Sequence, residues 1–467
     1  MRRRPGMAAH SLLLIAGVSL LCGFATNNTR RPIPPPSSPL ASSIVVTAAP
    51  VFEPLAALVY GEQRFPQGAR LLLLRAGKAE SLLPEFSASA DANVSFDAAT
   101  VLFSGKKNPG DPWQIWELAL ADHSVRQVIS ANADLVRPFY LPGNRIAYAR
   151  RTHAGFQIEA AWADGSHQLS LTHLRGNALP VDVLLDGRIL FESTFPLGAG
   201  AQPELYLVYS DGSCVESYRC DHGRARWGAH QLVSGPQSGD VIFSHGRTLA
   251  RFTSPLAVEA PVAAPAAEYA GMLAETQSGA WIVSARSSDR GRFSLALLHP
   301  GAPALQPFFS DRANNLVEPV LLLPRPVPKR HPSGLHDWTA ANLLALDVRQ
   351  SRDGDLAETP TSVRLDAQDE NGNAITMGFA PVESDGSFFV HVPGDRPIRF
   401  TLLDGSGAAV RAEQGWFWIR SGEQRICVGC HAGPEHAPEN RVPQVLLRST
   451  VPVDLTGSTP VTATGGR

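Results

Sequence analysis

Short apolar runs alternate with polar loops over most of residues 51–322. Apolar runs occur in pairs separated by a polar loop, such as 100–104 with 114–118 and 188–192 with 204–208. Polar turns such as Asp211-Gly212 follow them. Alternation with a period of two, bounded by Asp-Gly turns, predicts antiparallel β-hairpins.

These paired runs recur at a spacing of about 40 to 50 residues, which is the length of a β-propeller blade. About six such units fit into the region, and single blades cannot bury their own faces. We therefore predict a closed β-propeller over residues 49–322, whose motifs resemble those of TolB-type periplasmic propellers. An array of β-sandwiches is the competing architecture.

A proline-rich linker over residues 323–340 is predicted to end the propeller, because four prolines within ten residues cannot donate to a strand ladder. Alternating runs resume at residues 343–348, 362–365, 387–392 and 398–403. They predict a small β-sandwich-like domain over residues 341–450. The expected fold class is mainly β, with a propeller followed by this sandwich.

The N-terminus has the features of an export signal. Arg2, Arg3 and Arg4 precede the apolar run 11–21, and small residues around Ala25 permit cleavage. Residues 1–25 are predicted as a signal peptide, with a retained anchor or lipidation at Cys22 as alternatives. Residues 26–48 are predicted as a Pro/Ser-rich tether and 451–467 as a disordered tail. We expect a periplasmic or extracellular protein without a further membrane span.

Composition excludes one class of partner. The 467 residues carry a formal net charge of -2, so no basic excess exists to neutralise phosphates. Nucleic-acid binding is therefore not expected. The chain also contains 40 Gly and 38 Pro, which suits a turn-rich β architecture.

The strongest chemical motif is Cys427-Val428-Gly429-Cys430-His431. Two thiols at this spacing can each add to a vinyl group of one porphyrin, and the following imidazole can bind the iron. The motif predicts one covalently attached haem c, with His431 as the proximal iron ligand. Gly429 would keep the loop slim against the macrocycle. A zinc site completed by Glu435 or His436, a redox-active thiol pair and a chance match are the alternatives.

The second axial ligand of such an iron is left open by the sequence. An open or water-bound iron is one possibility, and four side chains are candidates: Met377, His336, His391 and His436. Apolar side chains close to the motif are expected to cover the ring, namely Trp416, Phe417, Trp418 and Ile426.

Cys214 and Cys220 lie in a polar stretch of the predicted propeller. In an exported protein they are predicted to form a disulfide that closes a surface loop. A metal site that includes His222 is the alternative.

The C-terminal third resembles the middle domain of the hydrazine synthase alpha subunit. The resemblance rests on residues 381–393, 400–404 and 416–423, followed by the Cys-x-x-Cys-His motif. It implies a propeller packed on a haem-bearing β domain, in which Cys427 and Cys430 form the thioethers. His431 would then bind the iron or, as in the synthase subunit, be diverted to zinc.

Two departures from that family argue against hydrazine synthesis. The position at which the synthase subunit has an iron-binding tyrosine is Glu435 here, and no tyrosine follows Tyr269. A second haem motif, which the synthase subunit carries in a further domain, does not occur in these 467 residues.

The leading hypothesis is a periplasmic monohaem c-type cytochrome on a propeller scaffold, which transfers electrons with a redox partner protein or performs small-molecule redox chemistry. A haem oxidoreductase acting on small nitrogen compounds rests on family analogy alone. The alternative is a propeller-based protein- or ligand-binding module with an accessory haem or zinc site.

Overall fold

The alternating segments form strands that hydrogen-bond in groups of four or five, each group being one blade. The computed structural model describes residues 43–194, 202–219, 224–351, 354–413, 415–429 and 439–457. Six antiparallel sheets lie between Ile44 and Leu321 in the described part of the chain. The predicted mainly-β class, with about six blades and a following sandwich, is confirmed.

Blades 1 to 3 are built from the following strands: β1 (Ile44–Ala49), β2 (Arg70–Arg75), β3 (Lys78–Ser81), β4 (Ala88–Val94), β5 (Thr100–Lys106), β6 (Gln114–Ala119), β7 (Val125–Ile129), β8 (Leu135–Leu141), β9 (Arg145–Thr152), β10 (Gly155–Trp162) and β11 (Leu169–Ser170). A π-helical turn, Ala56–Tyr60, interrupts the β1–β2 connection.

Blades 4 to 6 continue the series with β12 (Ala178–Val183), β13 (Ile189–Ser193), β14 (Glu204–Val208), β15 (Glu216–Ser217), β16 (Trp227–Gln231), β17 (Val241–His245), β18 (Thr248–Phe252), β19 (Ala260–Pro261), β20 (Glu268–Tyr269), β21 (Ala274–Glu275), β22 (Trp281–Arg286), β23 (Ser294–Leu298) and β24 (Gln306–Phe309). The last propeller strand, β25 (Asn315–Leu321), belongs to blade 1.

The ring closes between the two ends of the propeller sequence. β25 pairs antiparallel with β1, with Val320 opposite Val45 and Val317 opposite Thr47. All six residues of β1 are buried, and β2 pairs with its other side. The prediction of a tether as far as residue 48 is therefore wrong for residues 44–48, because this apolar segment is paired on both sides within blade 1.

Apolar side chains from neighbouring blades fill the spaces between the sheets. Phe103, Phe191 and Phe243 are fully buried, each on the second strand of its blade. Because successive side chains of a strand point to opposite faces, one strand can supply the cores on both sides of its blade. This stacking is what the repeated period predicts.

Residues 323–339 contain no strand, as the prolines predict, yet the segment is held against the propeller. The Lys329 amide donates to the Leu185 carbonyl at 3.0 Å. The Arg325 guanidinium lies 4.3 Å from the centre of the Phe96 ring and donates to the Val94 carbonyl at 3.2 Å. The linker is thus a packed strap across blades 2 to 4.

The second β region is a sandwich of two four-stranded sheets. Sheet one has the order β32-β26-β29-β33 and sheet two the order β28-β27-β30-β31. Their strands are β26 (Ala340–Ala345), β27 (Ser362–Gln368), β28 (Ala374–Pro381), β29 (Phe388–Pro393), β30 (Ile398–Leu403), β31 (Ala409–Ala412), β32 (Gln424–Cys427) and β33 (Val453–Asp454). One α-helix, α1 (Gln444–Arg448), precedes β33.

The beginning of the predicted disordered tail is ordered. β33 pairs parallel with β29, and Leu455 is only 3% exposed within the sandwich core. The prediction is therefore wrong for residues 451–455, because Leu455 fills the space between the two sheets. Among the described residues, no helix is long and apolar enough to cross a bilayer.

Candidate functional site

The strand that leads into the Cys-x-x-Cys-His motif lies at one edge of sheet one. β32 runs parallel to β26, with Ile426 opposite Leu344 and Cys427 opposite Ala345. The Leu346 amide donates to the Cys427 carbonyl at 2.9 Å. The backbone ladder therefore fixes the first motif residue, and the chain leaves the sheet directly after it.

The Cys427 thiol is half-buried against the core of the sandwich. Burial raises its pKa, and the opposing effect of the Arg425 guanidinium is too small to compensate. The free thiol is thus protonated at neutral pH, which disfavours its reaction as a nucleophile in disulfide exchange. Cys430 and His431 lie outside the described residues.

Gly429 packs against the turn at residues 347–350. A Cβ at this position would lie 2.6 Å from the Gln350 carbonyl oxygen and 3.0 Å from that of Asp347. Separations this short exclude any side chain, so only glycine fits. The predicted need for a slim residue is met, but the neighbour that the structure shows is protein backbone.

The chain returns to the same turn after the motif. Arg441 donates to the Asp385 carboxylate at 2.8 Å, and the Gln444 amide donates to the same oxygen at 2.8 Å. Val428 and Arg441 both line a cavity of about 30 Å³ beside Asp347. Val428 and Arg441 therefore lie close together at the end of sheet one.

An apolar row crosses the outer face of sheet one next to the motif. Ile426, Leu344 and Phe389 are in register on three adjacent strands. Ile426 is 64% exposed, whereas Leu344 and Phe389 are half-buried. This apolar surface is costly to leave in water. It lies on the face of sheet one opposite to the Cys427 thiol, which packs on the sandwich core. Of the residues that would hold a porphyrin, the structure describes Cys427 alone.

The structure corrects the expected covering role of Trp418. Its side chain is 1% exposed and packs in the propeller core formed by blades 3 and 4, with Phe139, Phe191 and Tyr206. The two preceding aromatic residues lie in other surroundings. Phe417 packs on the sandwich core, and the Trp416 ring centre lies 4.7 Å from the Arg399 guanidinium carbon. Trp418 thus joins the two β regions and cannot cover a ring beside Cys427.

A polar contact supports the same junction. Arg420 donates to the Asp395 carboxylate at 2.8 Å, and His173 of the propeller lies 3.3 Å from that carboxylate. Burial lowers the pKa of His173 and outweighs the effect of Asp395. The imidazole is therefore neutral at pH 7, and the junction is maintained by packing and by the Arg420–Asp395 pair.

The four candidate axial ligands lie in different surroundings. His391 is on the outer face of sheet one, where its Nδ1 lies 2.7 Å from the Asn342 side-chain oxygen. His336 stacks on Trp338 with ring centres 4.3 Å apart and lies 2.7 Å from the Gln424 amide nitrogen. Met377 packs into the sandwich core, and His436 lies outside the described residues. The identity of the second ligand stays open.

Cys214 lies at the junction of the propeller with β32. The thiol residue is exposed, and its backbone amide donates to the buried Glu423 carboxylate at 3.3 Å. The same carboxylate accepts a hydrogen bond from Arg425 at 2.9 Å. The predicted partner Cys220 and the alternative ligand His222 lie outside the described residues, so the disulfide stays a prediction.

The propeller axis carries a buried ion network that the sequence did not indicate. Arg64, from the β1–β2 connection, pairs with Asp91 and Glu318, and all three residues are at most 8% exposed. Arg137 lies 3.5 Å from Glu192 and its amide donates to Asp91 at 3.0 Å. These side chains fill the region where a ligand channel would run.

Three of these charged residues occupy equivalent bulges. Asp91, Arg137 and Glu318 have φ values of 59°, 52° and 55°, at positions where the innermost strands β4, β8 and β25 shift register. A left-handed residue within a bulge turns its side chain out of the normal alternation. The pattern is a property of pairing between distant strands, so no local sequence signal marks it.

Comparison with known proteins identifies the region around the motif. Residues 348–432 match the hydrazine synthase alpha subunit middle domain. Hydrazine synthase subunit alpha from Kuenenia stuttgartiensis is 39% identical over 57 residues, which are 12% of this chain and 7% of that protein. The predicted resemblance to this middle domain is confirmed, and the curated relative is matched over only a small part of its length.

The solved structures extend the likeness to the fold as a whole. Kuenenia stuttgartiensis hydrazine synthase superposes with a TM-score of 0.72 over 87% of this chain and 71% of that chain, at 16% identity. TolB from Acinetobacter baumannii gives a TM-score of 0.44 over 62% of this chain and 68% of that chain, at 12% identity. The superposition on hydrazine synthase shows a shared arrangement of propeller and middle-domain-like sandwich.

Proposed function

We propose that this chain is an exported monohaem c-type cytochrome that exchanges electrons with a redox partner protein in the periplasm. Cys427 and Cys430 would hold the porphyrin, and His431 would bind its iron. The observation that carries the proposal is the Cys-x-x-Cys-His motif itself, which begins at a thiol fixed by the sheet-one ladder at the end of β32. A bound haem would supply a one-electron couple.

The chain's own residues would have three roles at this site. The β26–β32 ladder positions the Cys427 sulfur, and the close packing of Gly429 on Gln350 directs the motif loop. The apolar core of the sandwich, against which Cys427 packs, would keep water from the attachment sulfur. Exclusion of water from a haem edge is one of the means by which a protein sets its reduction potential.

The propeller supports this role by holding the motif region in place. Trp418 and the Arg420–Asp395 pair tie the sandwich to blades 3 and 4. The Arg175 side chain of the propeller also contacts the β27–β28 turn through the Glu370 carbonyl. A redox partner that binds the propeller would therefore meet the haem region at a defined distance.

The alternative hypothesis is a propeller-based protein- or ligand-binding module, and the buried charges argue against one form of it, ligand binding in the central channel. Arg64 and its two carboxylate partners occupy the axis, with Phe52 and Phe65 stacked nearby at 5.6 Å between ring centres. Hydrazine synthesis is not proposed either, because the iron-binding tyrosine of the synthase family is replaced by Glu435.

The proposal is tested by producing the full chain in a bacterial host that assembles c-type cytochromes. We expect the intact mass of the exported protein to exceed that of its polypeptide by one haem, and the reduced protein to show a c-type absorption spectrum. Cys427→Ala should lose one thioether and most of the haem, whereas Cys214→Ala should keep the full haem mass. A native protein with the mass of the polypeptide alone contradicts the proposal.

A further inference from the structure

A groove of about 630 Å³ lies on the outer face of sheet one. Its floor is a polar row, in which Asn342, His391 and Asp454 are in register on the adjacent strands β26, β29 and β33. Trp338 and Val451, from the segments that lead into β26 and β33, also line it. A volume of this size is typical of sites that bind small molecules.

The indole of Trp338 is held in place as a flat platform. It stacks on the His336 imidazole, with ring centres 4.3 Å apart and planes inclined by 10°. His336 is itself fixed, because its Nε2 lies 2.7 Å from the Gln424 amide nitrogen and its backbone amide donates to the Gly422 carbonyl at 2.9 Å. The indole nevertheless remains 43% exposed. A ring supported in this way presents its electron-rich face to a ligand in the groove.

The polar groups of the floor are fixed as well. The Nδ1 of His391 donates to the Asn342 side-chain oxygen at 2.7 Å, because an amide oxygen can only accept. The Leu455 amide donates to the His391 carbonyl at 2.8 Å, and its buried side chain anchors Asp454 beside the histidine. The His391 Nε2 and the Asn342 amide nitrogen have no hydrogen-bond partner in the described part of the chain, so both can bind a ligand.

The charge of the groove selects the kind of ligand. Among the described residues that line it, Asp337 and Asp454 are acidic, and no Lys or Arg occurs. Burial opposes the charge of Asp454, but hydrogen bonds from Thr456 and the nearby His391 lower the pKa of this carboxyl. The groove therefore repels anions and attracts cations. A cation within about 6 Å of the centre of a tryptophan ring is attracted further by the ring itself.

We propose that this groove binds a small organic cation, such as a primary or quaternary ammonium compound. The positive group of the ligand contacts the Trp338 ring and is paired by the Asp337 and Asp454 carboxylates. Its carbon atoms lie on the apolar side chain of Val451. A bare metal ion does not fit, since no group of three metal-binding side chains occurs among the described residues.

Calorimetric titration of the purified full chain tests the proposal with four probes. Choline and butylamine are the cations. The uncharged analogue of choline, in which a tert-butyl group replaces the trimethylammonium group, and butyrate are the matched controls. We expect saturable binding of both cations, affinity for the uncharged analogue that is lower by about tenfold, and no binding of butyrate.

Substitutions locate the site. Trp338→Ala and Asp454→Asn should each weaken choline binding by about tenfold. Trp338→Phe should retain most of the affinity, because it keeps an aromatic face. The matched controls are Trp162→Ala and Asp289→Asn, at exposed propeller residues, and should bind choline as the unmodified chain does. Both groove residues are exposed, and thermal unfolding checks that their variants are folded.

Four results would overturn the proposal. Equal affinity for choline and its uncharged analogue would mean that the charge is not recognised. Absence of saturable binding of both cations up to about 50 mM would mean that the groove binds no small cation. Choline binding that is unchanged in Trp338→Ala and Asp454→Asn would place the site elsewhere.

The fourth result is binding of a lysine-rich peptide without binding of either small cation, which would identify the occupant as a segment of another protein. None of these measurements depends on haem loading, because the groove lies on the face of sheet one opposite to the Cys427 thiol. Failure of this proposal and failure of the cytochrome proposal are therefore distinguishable.

Discussion

The two β regions of this protein differ in how many large apolar side chains they expose to solvent. Among the described residues, five large apolar side chains are exposed in the propeller, but seven are exposed in the much shorter sandwich region: Ile375, Phe379, Ile426, Val442, Leu447, Val451 and Val453. The propeller closes on itself through the β25–β1 pair, so β1 is paired on both sides and the innermost strands turn their short edges toward the axis. The sandwich has four edges and leaves its outer face partly uncovered.

This difference separates the structural role from the chemical one. In the propeller, buried charged side chains pair with one another at the axis, as Arg64 does with Asp91 and Glu318. The sandwich places its cysteine motif and its exposed row at the surface. Surfaces that remain apolar and exposed are where ligands or partners bind, so binding chemistry is expected in the sandwich and mechanical support in the propeller.

The largest expected effect comes from the propeller axis. Arg64→Ala would leave the Asp91 and Glu318 carboxylates buried without their main positive partner, at a cost of about 3–5 kcal/mol in the free energy of unfolding. Arg126→Ala is the control, because the Arg126–Glu117 pair has a 48% exposed guanidinium and should contribute no more than about 1 kcal/mol. Denaturant unfolding measures the free energy of unfolding of both variants. Equal losses of stability would mean that the buried charges at the axis do not stabilise the propeller more than a surface ion pair does.

The junction tests whether the two regions behave as one unit. Trp418→Ala removes a fully buried indole from the core of blades 3 and 4, and we expect a loss of about 3–5 kcal/mol. The sandwich should then unfold in a separate, earlier transition in calorimetry. Trp162→Ala, at a side chain that is 36% exposed, should cost far less. A single unchanged transition in the Trp418 variant would contradict the assigned role.

A pH experiment addresses the charges between blades 4, 5 and 6. His230 lies 3.0 Å from Asp182 and 3.4 Å from Glu275. Burial opposes its charge, but Asp182 and Glu275 together raise its pKa to about 10. A raised folded-state pKa stabilises the fold below the unfolded value of about 6.5, and this stabilisation is lost as the pH rises toward 10.

The measurement is the free energy of unfolding at pH 6.5 and at pH 10. We expect the difference between the two pH values to be smaller by a few kcal/mol in His230→Gln than in the unmodified chain. His123→Gln, at an exposed turn residue, should preserve the full difference. A pH dependence unaffected by His230→Gln would mean that the imidazolium does not hold the three blades together.

The smallest effect is expected at the motif loop. Gly429→Ala forces a methyl group against Gln350 and should cost about 1–3 kcal/mol, because the opposing atoms include backbone. Gly405→Ala is the control, since nothing lies within 4 Å of its added Cβ. Thermal unfolding compares the two variants, and haem content of the Gly429 variant should also fall. Equal stability would show that the loop can shift without penalty.

Much of the fold could be predicted because its signals are local. The strand Glu204–Val208 was predicted at its observed bounds, and so was Ile398–Leu403. The strand Ile44–Ala49 was missed, because its pairing with residues 315–321 depends on ring closure across the whole propeller. The same limit applies to the bulges at the axis, which arise from pairing between strands and not from a sequence motif.

The candidate site shows a similar division. The residues of the motif are evident from their spacing, and the structure gives the local reason for Gly429. The burial of Trp418 in the propeller core could not be predicted, because the adjacent aromatic side chains 416, 417 and 418 pack in three different places. Which core a side chain enters depends on how the two β regions pack, and that information is not local.

The placement of β25 has a consequence for biogenesis. Because the innermost strand of blade 1 comes from Asn315–Leu321, a growing polypeptide cannot complete the ring until more than 320 residues have been made. Until then the segment Ile44–Ala49, which is buried over its full length in the closed ring, lacks one of its two strand neighbours and offers a free edge. Newly made chains are therefore expected to be prone to aggregation until the β25–β1 pair has formed.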